Sequence, residues 1–134
     1  MTILARKIDF GGPHYMKVAV LGASKNPHRY SNMAIHRLLA KGHEVIPIHP
    51  TLDVLENLPV RRSLSEVTDE VHTLTVYLGQ KHLKAEIEHI LKLRPKRVIL
   101  NPGTESIELM NALDAHNIPY LEACTLVMLG TGQF

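Results

Sequence analysis

Lys17-Val18-Ala19-Val20-Leu21-Gly22-Ala23-Ser24, continued by Lys25-Asn26-Pro27-His28-Arg29-Tyr30-Ser31, is the stretch that decides how this chain folds. Val18, Val20 and their neighbours make an unbroken apolar run rich in β-branched residues, the pattern of a parallel strand buried on both faces. Gly22 supplies backbone angles that other residues resist, so the chain can turn sharply at the strand's carboxyl end. Ser31 is an N-cap candidate for a helix over residues 32–41, whose free N–H groups and positive dipole end attract an anion. Arg29 adds a forked cationic donor suited to phosphate oxygens. A glycine at such a turn can also serve geometry alone. Arg29, Tyr30 and Ser31 favour a binding site, because a purely structural loop needs no polar groups crowded at its mouth. Ligands of open parallel sheets bind beyond the carboxyl ends of the strands, where this turn lies.

Outward from this turn, helix and strand patterns alternate. Ala34, Ile35, Leu38 and Leu39 recur at helical spacing, and Lys41-Gly42 ends the first helix. Residues 44–50 read as the second strand, in which Pro47 is tolerable only if its missing N–H avoids a ladder bond. Residues 52–59 read as an irregular excursion and residues 60–62 as a short extended piece. Ser63 or Ser65 caps a helical turn around residues 64–67. Residues 73–78 form the third strand, ended by Gly79. Residues 80–93 carry Leu83, Ile87, Ile90 and Leu91 at helical spacing, and Pro95 closes that helix. Residues 97–100 are the fourth strand and Asn101-Pro102-Gly103-Thr104 its turn. Thr104 is the expected cap of a helix over residues 105–116, with Ile107, Leu109, Met110 and Leu113 available for its buried face. Residues 119–123 make a short fifth strand, and residues 124–129 a last helical turn.

This alternation predicts an α/β fold: a single Rossmann-like domain over residues 16–134, with a five-stranded parallel sheet in the order 3-2-1-4-5 and helices on both faces. Residues 1–15, where Gly11-Gly12-Pro13 precedes a second methionine, Met16, read as a leader or flexible arm.

At 134 residues the chain suits one domain and is too small for separate cofactor and substrate domains, so catalysis would need a partner or a subunit interface. A net charge of +2, 4% aromatic residues and no Trp argue against a nucleic-acid surface. No apolar stretch approaches the roughly 20 residues of a membrane span. The single cysteine, Cys124, excludes an internal disulfide and fits a reducing cytoplasm. None of the nine histidines falls in a His-Glu-x-x-His pattern, and His43, His49, His82 and His116 stand singly at element ends, as solvated or capping residues do. Cys124 is the one thiol nucleophile, with a small buried hydrophobe as its alternative reading. His49 is the nearest base candidate. No Ser-His-Asp order, carboxylate pair or metal set can be assembled, which favours a binding protein over an enzyme.

A dinucleotide fingerprint would show G-x-G-x-x-G after the first strand and an acidic residue at the end of the second. Here Ala23, Ser24 and Pro27 stand at the glycine positions, and the second strand ends in His49-Pro50. The Walker A pattern is absent as well. What remains is an ordered set: residues 22–31, residues 42–50, Ser63-Leu64, Asn101-Pro102-Gly103-Thr104 and Cys124. This set resembles the small stand-alone CoA-binding proteins, Rossmann-like domains similar to the CoA-binding part of succinyl-CoA synthetase.

The resemblance spans about residues 16–130. It implies coenzyme A, free or as an acyl-CoA, as the ligand. It further implies that Gly22, Ala23 and Ser24 hug the pyrophosphate, and that Arg29, Tyr30 and Ser31 contact phosphate or adenosine-side groups. His49 and Pro50 would border adenine and ribose, while Leu78, Gly79, Asn101, Pro102 and Gly103 would flank the pantetheine. Two departures stand out. Asn101 replaces the family's usual Gln, and His72 replaces the Asp that usually precedes the third strand. A homodimer is compatible with this reading. Two other readings stay open: a degenerate NAD(P)-type dinucleotide domain, and an oligomeric interaction module with a vestigial pocket.

Overall fold

In a computed structural model, residues 15–134 are described. The reading of residues 1–15 as a leader falls, Tyr15 apart, outside them. Strand β1 (Lys17–Leu21) leads into helix α1 (Tyr30–Ala40) and strand β2 (Glu44–Ile48). A small hairpin, β3 (Val54–Leu55) and β4 (Leu58–Pro59), and a 3-10 turn at Leu64–Glu66 precede β5 (Thr73–Val76). Then come α2 (Gln80–Leu83), α3 (Ile87–Leu93), β6 (Arg97–Leu100), α4 (Ile107–Ala115), β7 (Tyr120–Glu122) and α5 (Thr125–Gly130).

The main sheet has five parallel strands in the order β2-β1-β5-β6-β7. Side chains alternate across it, as the strand period requires. Val18 and Val20 pack with Ile35, Leu38 and Leu129 under α1 and α5. Ala19, Leu21, Leu74 and Val76 pack with Leu83, Ile90, Leu109 and Leu113 under α2, α3 and α4. All four residues of β5 are buried, as a central strand covered on both faces should be.

The five-stranded parallel sheet agrees with the sequence pattern, but the strand order does not. Numbered along the chain, the main strands lie 2-1-3-4-5 rather than 3-2-1-4-5: the third strand, β5, pairs with β1 and not with β2. Pro47 explains the difference. The carbonyl of Ile48 accepts Ala23 N–H on the β1 side, whereas the carbonyl of Pro47 accepts Arg61 N–H on the other side. By strand alternation the ring nitrogen of Pro47 also points outward, where a full partner strand would find a donor missing. That edge holds a single-residue parallel bridge between Ile48 and Arg61 instead. The expected extended piece at residues 60–62 is therefore real, as an edge cover.

Other boundaries shift for local reasons. The supposed irregular excursion contains a hairpin whose turn residues, Glu56 and Asn57, both take positive φ (50° and 62°), the signature of a tight two-residue connection normally written with glycine. The helix expected over residues 80–93 is interrupted by a 3-10 turn at Lys84–Glu86, while Leu83, Ile87 and Ile90 stay buried. Ser106, not Thr104, caps α4, its Oγ accepting Leu109 N–H at 3.1 Å. Ile107 becomes the first helical residue and is 73% exposed rather than buried.

Candidate functional site

The strand order sets where a ligand can lie. The chain leaves β1 toward β2 through α1, and leaves β5 in the opposite direction toward β6 through α2 and α3, so the switch point falls between β1 and β5. At such a point the two connections diverge and open a crevice beyond the carboxyl ends of the strands. The register brings Leu21, Ile48, Val76 and Leu100 level with one another, so the residues that follow them form one rim.

Gly22 lies at this point with φ +90°, and a Cβ built on it would meet Tyr77 C and O at 3.0 Å and Leu78 Cδ2 at 3.1 Å. Only a glycine lets the two turns touch here. The loop beyond is held by its own side chains: Ser24 Oγ accepts Asn26 N–H at 3.1 Å, and Asn26 Oδ1 accepts His28 N–H at 3.0 Å. Asn32, buried in α1, donates through Nδ2 to the Ser24 carbonyl at 2.9 Å and to Glu56 Oε2 at 3.1 Å, tying the loop to the hairpin.

Helix α1 starts at Tyr30, two residues before the expected position. Its cap is Arg29, whose side chain makes no capping hydrogen bond. Ser31 lies inside the first turn and is 4% exposed. An uncapped helix start of this kind leaves donors and a positive dipole end for an external acceptor.

A cleft of about 220 Å³ opens in front of this helix start. Gly22, Ser24, Arg29, Tyr30 and Ser31 line one side, with Tyr77 and Gly79 from the end of β5 and Pro102, Gly103 and Thr104 from the turn after β6 on the other. Among its described wall residues, Arg29 is the one charged side chain. Among the described residues the buried Tyr77 hydroxyl has no hydrogen-bond partner, and burial pushes its pKa up to about 12, so it remains a proton donor at neutral pH.

A second cleft, of about 320 Å³, shares Gly22 with the first and holds Pro50 and Leu78. Arg62, Ser63, Lys81 and His82 also line it, and sequence reading proposed none of these four for the site. The signal was available: residues 80–82 follow a strand ending at the carboxyl edge, the same rule that selected Gly22.

Three proposed residues sit away from the cleft walls. Ala23 is 5% exposed and packs into the core, its N–H bonding the Ile48 carbonyl at 3.2 Å. His49 Nδ1 accepts the backbone N–H groups of Thr51 and Leu52, each at 3.1 Å, so its ring serves the turn after β2. Asn101 is buried, with its side-chain amide fully engaged in the fold. Cys124 is partly buried at the start of α5 and lines neither cleft.

His72 lies at the opposite, amino edge, with Nδ1 2.8 Å from Thr73 Oγ1. Arg97 also reaches that hydroxyl, through Nε at 2.8 Å, and stacks 4.6 Å from the Phe134 ring centroid. Another cavity, of about 330 Å³, opens at this edge between Met16, His43 and Phe134, away from the crevice.

A family model described as a CoA binding domain matches residues 16–130. The chain belongs to this CoA-binding domain family. Its fold recurs in the crystal structure of an uncharacterized protein that is 37% identical, with a TM-score of 0.86 over 91% of this chain and 100% of that one. A conserved hypothetical protein from Pyrococcus furiosus is 32% identical, with a TM-score of 0.73 over 79% of this chain and 91% of that one. A dinucleotide forming acetyl-coenzyme A synthetase from Ca. Korarchaeum cryptofilum has the same fold over 81% of this chain and 25% of that one, at 24% identity and a TM-score of 0.71. Among curated proteins, the uncharacterized protein YneT of Bacillus subtilis is 29% identical over 76 residues, which is 57% of this chain. The matched stretch spans 56% of YneT's own length.

Among the described residues no helix is long and apolar enough to cross a membrane, and no group of three or more His, Cys, Asp or Glu side chains is arranged to hold a metal ion.

Proposed function

We propose that this protein binds coenzyme A, free or as an acyl-CoA, with the pyrophosphate at the turn of residues 22–24 and the start of α1. The observation that carries the reading is the convergence of Gly22, Ser24, Arg29 and Ser31 on one cleft whose described walls bear a single charge, that of Arg29. A glycine permits close backbone approach, an uncapped helix start supplies donors, and a guanidinium pairs with phosphate oxygens. Pro50 then borders the adenosine side, and Leu78, Gly79, Pro102 and Gly103 the pantetheine side. Membership of the CoA-binding domain family supports the same ligand.

Residues 16–134 serve as the binding unit, in the cytoplasm, with no nucleic-acid or membrane partner; a homodimer is compatible with this reading. We read the chain as non-catalytic on its own, since its sequence assembles no Ser-His-Asp order, carboxylate pair or metal set. Isothermal titration with CoA, acetyl-CoA and NAD tests this. Binding of the CoA compounds without NAD is the expected result. Binding of NAD alone would make the chain a degenerate dinucleotide domain, and binding of none an interaction module with a vestigial pocket.

A further inference from the structure

Glu56 holds a backbone conformation that its residue type resists. The two-residue connection between β3 and β4 takes positive φ at both positions, a demand that hairpins commonly meet with Asn-Gly or Asp-Gly. Asn57, at φ 62°, tolerates it, whereas Glu56, at φ 50°, is strained. Strain of this kind persists only where the surroundings over-determine it, and it gathers at binding sites and clamps. The Glu56 side chain shows what offsets it here. Oε2 accepts Asn32 Nδ2 at 3.1 Å, and Oε1 lies 3.3 Å from His36 Nε2. Asn32 and His36 stand one turn apart on α1, so the carboxylate spans both from a hairpin whose Leu55 is fixed in the core beside Ile35 and Leu38.

The effect of that grip reaches beyond the hairpin. Asn32 is 1% exposed, and the same amide nitrogen donates to the Ser24 carbonyl at 2.9 Å. Ser24 lines the first cleft, whereas Glu56 lines neither. We propose that Glu56 is a positioning residue for the anion-binding turn: its carboxylate fixes the Asn32 amide, and the amide keeps the Ser24 carbonyl drawn toward α1 and away from the pyrophosphate. This rests on the CoA reading above. A carbonyl oxygen is an acceptor, so a peptide free to turn over would set it against an anion that needs donors. The amide has two N–H donors, one for each acceptor, and the bond to the carboxylate is charge-assisted. Glu56 therefore acts on the ligand through Asn32 and Ser24, without touching it.

Two variants of the full chain, each measured by CoA calorimetry and urea denaturation, test the proposal. In Glu56→Gly the unfolding midpoint should stay near that of the wild type, because glycine takes positive φ freely and the relief of strain offsets the lost bond. Its affinity for CoA should nevertheless fall on the order of tenfold, since the loop loses its anchor. Glu56→Gln keeps the side-chain length and an acceptor oxygen for Asn32, and should bind CoA within about threefold of the wild type. Full affinity in Glu56→Gly would overturn the positioning role and leave the CoA reading standing. Stability and affinity falling together in Glu56→Gly would assign Glu56 to folding and overturn the role, as would a Glu56→Gln variant that binds no better than Glu56→Gly. A wild type that binds no CoA overturns both.

Discussion

Asn101 Oδ1 accepts the Thr125 backbone N–H at 2.8 Å, which makes the turn after β6 and the start of α5 one hydrogen-bonded unit. The same side chain donates through Nδ2 to Thr75 Oγ1 at 2.7 Å and to the Val76 carbonyl at 2.9 Å, and Thr75 Oγ1 lies 2.8 Å from Thr125 Oγ1. One amide thus joins β5, β6 and α5 beneath the first cleft. Asn101→Ala would strand the Val76 carbonyl and the Thr125 N–H in a buried place, and should cost about 2–4 kcal/mol. Urea denaturation measures it. A loss below about 0.5 kcal/mol would mean that water replaces the amide.

Gly22 and Gly103 share φ +90° but differ in surroundings. A Cβ at Gly22 would press on the Tyr77 backbone, and one at Gly103 would meet nothing within 4 Å. Gly103→Ala should therefore cost only backbone strain, about 1–2 kcal/mol. Gly22→Ala should cost more and abolish CoA binding, because it separates the two turns that form the crevice. Equal stabilities for the two variants would remove steric contact as the reason for Gly22.

Arg29 is exposed and touches the fold through its backbone alone among the bonds described for it. Arg29→Ala should leave the unfolding midpoint unchanged and weaken CoA binding by about 1.5–3 kcal/mol, the worth of a charge-assisted hydrogen bond. Unchanged affinity in calorimetry would reduce Arg29 to a solvated surface cation.

Acid should loosen the amino edge of the sheet. Burial, and then Arg97, hold both His43 and His72 below their ordinary value of 6.5. His43 Nδ1 accepts the Met16 N–H at 3.1 Å, a bond that protonation destroys. As pH falls through 6.5 the unfolded chain takes up protons before the folded one, so stability is full above that value and declines below it, until the lower folded values are reached. The slope cannot exceed about 1.4 kcal/mol per pH unit for each histidine. Urea midpoints recorded from neutral pH downward should show the decline, and His72→Asn should flatten it. A pH-independent midpoint in the wild type would rule the mechanism out.

Residues 17–24 made the first strand, the turn and the parallel sheet readable in advance, because a run of buried β-branched residues ending in glycine has few other uses. Pro47 also held the strand order, since a proline inside a strand marks an edge. Reading it only as a tolerated exception led to the order 3-2-1-4-5. The hairpin at Glu56 and Asn57 was hidden because glutamate rarely takes positive φ, and nothing local announces it. The second cleft's rim was half legible: residues 80–82 follow a strand that ends at the carboxyl edge, whereas nothing local to Arg62 announces that it lines the same cleft. Asn101 was legible as a turn residue, but its burial depends on Thr75 and Thr125, which tertiary structure alone brings to it.

The bridge between Ile48 and Arg61 has a bearing on self-association. Open sheet edges are templates for the strands of other molecules, and uncontrolled pairing there leads to aggregation. Here one edge carries a proline and is covered by the chain's own Arg61, while the other, β7, is three residues long and follows Pro119. Neither edge offers a long, flat ladder to a neighbour. Extension of the five-stranded sheet by a second copy is therefore disfavoured at both of its ends.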